Sequence, residues 1–249
     1  LFLQALERQG IPRRLAERLD AYQSTRHPGD QSKVYHGIAH SRDVPILLAK
    51  MLDGAPAGMS PGQRALLVLA AALHDIDPLR APGTAAKVAE TLSYLGSDAE
   101  SQALLAEFSN LYGFNTAQVA ALIKATDFNA APEAQRKLEE EWERATKTAF
   151  PAEDLDWAME WGRRLSYANK IAFYLGSTAA AERQVRNLAH EIRQGIKAAT
   201  KAPAANPSDE AILQGAHGFL KALRESPDYA VLPEELRMNF ETVLEHFRV

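Results

Sequence analysis

The stretch Ala65-Leu66-Leu67-Val68-Leu69-Ala70-Ala71-Ala72-Leu73 is apolar at every position and stops at His74-Asp75. A helix that is hydrophobic all round has no solvent face and reads as a buried core element. The two residues that end it add a second constraint. A buried carboxylate is costly unless it is paired, hydrogen-bonded or bound to a metal. An imidazole beside it makes metal binding the reading to test.

The rest of the chain supports an all-α fold. Ala, Leu, Glu, Arg and Lys dominate, and apolar residues recur at three- and four-residue spacing. The pattern predicts helices over 3–8, 12–24, 38–53, 61–75, 83–96, 98–112, 116–126, 132–148, 153–176, 178–200, 208–225 and 233–247, with Pro and Gly at the joints. No alternating Val/Ile/Thr run reads as a strand, and no internal repeat is visible. Gln135 to Thr148 is charged nearly all round and reads as a solvated helix. Lys201 to Ser208 (KAPAANPS) reads as a linker. Residues 1–200 are therefore expected to form the core with its N-terminal helices, and 201–249 a linker and helical hairpin packed on it.

Composition narrows the chemistry. The 249 residues are 46% hydrophobic and 24% charged, ordinary for a soluble domain, with a net charge of −4 and no basic block. That argues against coating nucleic acid. There is no cysteine, so thiolate metal sites and Cys nucleophiles are excluded, and His and carboxylates remain as ligands. No apolar stretch approaches the ~20 residues that cross a bilayer. No secretory leader is visible, and a cytoplasmic location is the default expectation.

Upstream of His74 lies Tyr35-His36-Gly37-Ile38-Ala39-His40-Ser41. His36 and His40 share a helix face if the helix runs through both; otherwise Gly37 marks its start and His36 sits on the preceding loop. His40 opens an amphipathic helix continuing through Val44, Leu47, Leu48 and Met51. Imidazoles with carboxylates suit Mn, Fe, Zn or, less well, Mg.

His40, then His74-Asp75, then an acidic position far downstream resembles the HD-domain metal-dependent phosphohydrolases. Ala39-His40-Ser41-Arg42-Asp43-Val44 looks like that family's first ligand, and Ala72-Leu73-His74-Asp75-Ile76 like its namesake dipeptide. Tyr35-His36-x-x-x-His40 and Ala125-Thr126-Asp127-Phe128 are closer to its cyclic-nucleotide phosphodiesterase branch. The resemblance covers Tyr35 to Leu175 and implies an HD-domain helical bundle with additional C-terminal helices.

The departure is the fourth ligand. The family places an Asp on a late helix, commonly as Ala-Asp-Lys; here Ala168-Asn169-Lys170 has that look, with Asn169 where Asp belongs. Three accounts fit: an introduced Asp→Asn change, a naturally impaired homologue, or Asp127 as the true fourth ligand. The surrounding text favours Asn169 in the ligand position. A second-sphere role for Asp127 is weighted equally with direct ligation. The branch's usual further His after the dipeptide is missing from Ile76 to Thr84, which leaves a second metal without a full ligand set; Asp77 is a candidate to compensate through a water.

The resemblance implies hydrolysis of a phosphoester, a nucleotide-type phosphodiester or phosphomonoester, with a divalent metal (Mn, Mg, Fe or Zn) as cofactor. It casts His40, His74, Asp75 and Asn169 as metal ligands, His36 as proton donor to the leaving oxygen, Asp75, Asp127 and Lys170 as further catalytic groups, and Arg80 and Lys170 as holders of phosphate oxygens. For Arg80 and Lys170 a solvated surface charge is an equally weighted reading. The expected partner is a small-molecule phosphoester or nucleotide, not a nucleic-acid surface or a membrane, and oligomerisation is left open. Two alternatives stand beside this one: an HD-fold binding or regulatory module that has lost its chemistry, and an HD-type di-iron oxygenase, for which the ligand count is short. His27, His190, His217 and His246 read as surface or core histidines, and Trp142, Trp157 and Trp161 as packing residues.

Overall fold

The computed structural model describes residues 1–26, 38–55, 58–76, 88–129, 131–200 and 208–248. Among these the chain is all-α, with no strand. In order, the helices are α1 (Phe2–Arg8), α2 (Arg13–Arg26), α3 (Ile38–Asp53), α4 (Pro61–Leu73), α5 (Val88–Ser97), α6 (Ala99–Tyr112) and α7 (Thr116–Lys124). They continue as α8 (Pro132–Ala149), α9 (Ala152–Ile171), a 3-10 turn (Ala172–Leu175), α10 (Thr178–Thr200), α11 (Asp209–Arg224), α12 (Pro227–Ala230) and α13 (Glu234–His246).

The apolar run is the centre of the bundle. Ser60 and Gln63 form a reciprocal capping box at 3.1 and 3.0 Å, and Pro61 opens α4 where its missing N–H costs nothing. Every residue from Ala65 to Leu73 is buried, and α4 packs against α2, α3, α6, α7 and α9. Burying each Leu or Val of this run contributes roughly 1.5–3 kcal/mol. The side chains of Val44, Leu47, Leu48 and Met51 make the matching face of α3.

Two boundaries differ from the sequence expectation. The helix expected to reach 176 ends at Ile171 and tightens into the 3-10 turn before Gly176, whose backbone is extended. Tightening satisfies terminal carbonyls that an α-helix would leave open. The Asn239 side-chain amide donates to the carbonyls of Leu175 and Gly176 and closes that end. The second difference is α12, where Pro227, expected as a joint, is instead the first residue of a short helix capped by Ser226. Of the expected helix over 83–96, residues 83–87 lie outside the described residues.

α8 buries only Trp142 and Thr146 and keeps most of its charges in solvent. Trp142 lies so close on α9 that a β-carbon at Gly162 would stand 2.6 Å from its Cζ2. Trp161 is buried and Trp157 packs near Phe150, with ring centroids 6.0 Å apart. The linker assigned to 201–208 falls almost wholly outside the described residues; its last residue, Ser208, caps α11. α11 and α13 pack on α10, and α13 also on the 3-10 turn. The Tyr167 hydroxyl donates to the Leu223 carbonyl at 3.1 Å, which ties α9 to α11. Among the described residues no helix is long and apolar enough to cross a membrane.

Candidate metal centre

His40 is the third residue of α3, and His74 is the residue that ends α4. A helix end leaves carbonyls without intrahelical partners. Three of them are met here by three different groups. His74 Nδ1 donates to the Ala71 oxygen at 2.7 Å, Gln23 Nε2 donates to the Ala72 oxygen at 2.7 Å, and the Ile76 amide donates to the Leu73 oxygen at 3.2 Å. The turn that stops the helix therefore also sets the orientation of the imidazole.

Gln23 serves α3 as well. Pro45 lies inside α3 and has no N–H to offer the carbonyl four residues back, at Ser41. Gln23 Nε2 donates to that carbonyl at 3.0 Å. One fully buried amide thus ties the backbone beside His40 to the backbone beside His74. This residue was missed by sequence reasoning. Pro45 signals an orphan carbonyl at Ser41, but nothing local points to a glutamine in α2.

The ligand atoms of His40, His74 and Asp75 lie within 4.8 Å of one another, and all three residues are buried. The two rings meet edge to face with centroids 5.4 Å apart. Asn169, half-buried on α9, directs Oδ1 at both: it lies 2.9 Å from His40 Nε2 and 3.1 Å from His74 Nε2. Its Nδ2 faces the Thr126 carbonyl at 3.5 Å, so the opposite amide orientation would set two carbonyl oxygens against each other.

The donor set can be tested for fit to a cation. His74 spends its Nδ1 proton on Ala71, so in the neutral ring Nε2 carries a lone pair. That lone pair points at the lone pairs of Asn169 Oδ1. Two acceptors at this distance repel unless a proton or a cation stands between them. Two imidazole nitrogens, one carboxylate and one amide oxygen suit a borderline divalent ion such as Zn, Mn or Fe. Because Asn169 is uncharged, the set carries one negative charge, that of Asp75.

The remaining expected residues are divided between two places. Asp127 is not part of the cluster: its Oδ1 accepts the Phe128 amide at 3.1 Å, and burial pushes its carboxyl above the usual range. Lys170, one residue beyond Asn169, lines the same cavity as Asp127, a lining that includes none of His40, His74, Asp75 or Asn169. Asp127, the alternative to Asn169 as fourth ligand, thus stands outside the cluster. It lies in the turn beyond α7 and lines a cavity with residues of α8 and α9. His36, Asp77 and Arg80 lie outside the described residues, as does His27. His190 and His246 are exposed, with His246 Nε2 3.2 Å from a Glu182 oxygen, and His217 is half-buried.

No family model matches the chain, and no curated protein and no solved structure matches it.

Proposed function

We propose that the chain is a metal-dependent phosphoester hydrolase of the HD-domain type, with His40, His74, Asp75 and Asn169 holding a divalent cation and a nucleotide-type phosphodiester or phosphomonoester as substrate. The observation that carries this reading is the convergence of two imidazole Nε2 atoms on Asn169 Oδ1 at 2.9 and 3.1 Å, next to a buried carboxylate. When bound, such a cation lowers the pKa of water and polarises a phosphoryl oxygen.

The chain's own residues do the rest. His74 is held in the Nδ1–H tautomer by Ala71, which leaves Nε2 as the basic nitrogen. Asp75 supplies the anionic charge that offsets the cation. Gln23 keeps the two histidine-bearing helices in register. In this reading His36 delivers the proton to the leaving oxygen and Arg80 holds phosphate oxygens. Lys170 acts from the neighbouring cavity.

One observation favours a second reading. Asn169 contributes an oxygen without charge, which weakens a divalent site and suits an HD-fold binding or regulatory module that has lost its chemistry. One experiment separates the two. Bound metal and hydrolysis of bis-p-nitrophenyl phosphate with Mn²⁺ are measured on this chain and on Asn169→Asp. The hydrolase reading expects metal in both and turnover raised by about tenfold or more in the Asp form, the scale on which even outer-sphere changes act. Metal without turnover in either form moves the assignment to the binding module. Neither metal nor turnover in either form overturns the site.

A further inference from the structure

Beside the candidate metal centre lies a cavity of about 420 Å³ walled by the end of α7, one face each of α8 and α9, and the α11–α12 turn. Its volume falls in the ~300–1,000 Å³ range of small-molecule sites. The wall carries both signs of charge. Lys124 ends α7 and Arg163 and Lys170 stand on α9, and Asp127 after α7, Glu139 and Glu143 on α8 and Asp228 on α12 line the same space.

These charges do not neutralise one another directly. Among the described residues none of Lys124, Arg163, Lys170, Asp127 and Asp228 forms an ion pair within 4.0 Å, although the surface around them is rich in such pairs. Lys170 rests its ammonium 5.2 Å from the centre of the Phe128 ring instead. Burial raises the Asp228 carboxyl even against the pull of Arg163, Arg164 and Lys170. The α11–α12 segment closes the space, held to α9 by the Tyr167–Leu223 hydrogen bond.

We propose that this cavity is a second ligand site, separate from the metal centre, and that it takes a small zwitterion: an amine and an acid group on one short molecule. A simple anion placed there meets the acidic wall, and a simple cation meets Lys124, Arg163 and Lys170. A molecule carrying both charges pairs each sign in the lining with its complement and repays the desolvation of both. The inference shares Lys170 with the hydrolase reading but does not rest on it, because no residue of the metal cluster lines the cavity.

Trp142 forms part of the wall and provides the reporter. The full chain has three tryptophans, so its indole N–H resonance is assigned by Trp142→Phe. O-phosphoethanolamine and L-arginine are titrated as zwitterionic probes, with inorganic phosphate and ethylamine as single-charge controls. The expected result is a saturable shift of the Trp142 resonance with at least one zwitterion and an affinity at least about tenfold above both controls, the worth of one added charge-assisted contact. Arg163→Gln and Asp228→Asn each weaken it by a similar factor with unchanged circular dichroism. His40→Ala, which ends Mn²⁺ binding in the metal reading, leaves it unaltered. Equal binding of a control, insensitivity to both substitutions, or no shift with either zwitterion overturns the proposal.

Discussion

His74 and Ala71 are joined by a 2.7 Å hydrogen bond from the imidazole Nδ1 to the carbonyl oxygen three residues earlier. The bond does two jobs. It satisfies a carbonyl at the end of the central helix, and it leaves Nε2 as the basic nitrogen facing the cluster.

Metal should therefore stabilise the fold. A divalent ion at 100 times its dissociation constant adds about 2.7 kcal/mol, read as a rise in Tm on titration with Mn²⁺ or Zn²⁺. His40→Ala and His74→Ala should abolish the rise, and Asn169→Asp should enlarge it. An equal rise in all four proteins would place the metal elsewhere.

Gln23 reaches no ligand atom yet bridges the Ser41 and Ala72 carbonyls at 3.0 and 2.7 Å. Gln23→Leu removes both donors and leaves two buried acceptors unmet. It should cost about 1–3 kcal/mol per unmet acceptor in urea denaturation. Metal affinity should fall by about 10–100-fold, as for other groups that orient ligands. A loss of stability with metal affinity intact would reduce Gln23 to a packing role.

Gly162 is the only residue type that fits beneath Trp142. A β-carbon there stands 2.6 Å from Cζ2 and 3.2 Å from Cε2 of the indole. Gly162→Ala should cost about 1–3 kcal/mol through overpacking. The penalty should shrink when Trp142→Phe is combined with it, and a double-mutant cycle gives the coupling. Additivity of the two changes would contradict the contact.

Two groups linked through Ser101 give a pH dependence at opposite ends of the scale. The Tyr22 hydroxyl donates to Ser101 Oγ at 2.5 Å, and that hydroxyl donates to Asp98 Oδ2 at 2.7 Å. Burial pushes the Tyr22 phenol up to about 12. Its folded value lies above the unfolded one near 10, so its contribution is complete below about pH 10 and is lost as pH rises through about 12. Tyr22→Phe should flatten that alkaline slope. Asp98 behaves oppositely: burial works against it, but the Ser101 hydroxyl and amide and Arg26 outweigh burial and hold it below the usual carboxylate range. Its contribution is present above the ordinary aspartate value and is lost as pH falls through the folded one. As the N-cap of α6, Asp98→Ala should cost about 1 kcal/mol at neutral pH and less in acid, measured by urea midpoints across the range.

The helices were legible in the sequence because their causes are local. Ala65–Leu73 reads as a core helix from its composition alone, and Ser60-Pro61 marks its start through capping chemistry within one turn. His40 and His74-Asp75 stand out because polar groups beside apolar runs require a partner. Where the partner lies is a different question, since spacing along the chain carries no information about distance across it. The resemblance names Asn169 as a partner, but only the fold sets its Oδ1 against both imidazoles, from 129 residues away for His40 and 95 for His74. The fold also turns Lys170, one step along α9 from Asn169, into a separate cavity, because successive helical residues point about 100° apart. Gln23 became visible only once α2, α3 and α4 had packed, for its two acceptors are carbonyls left open by a proline and by a helix end.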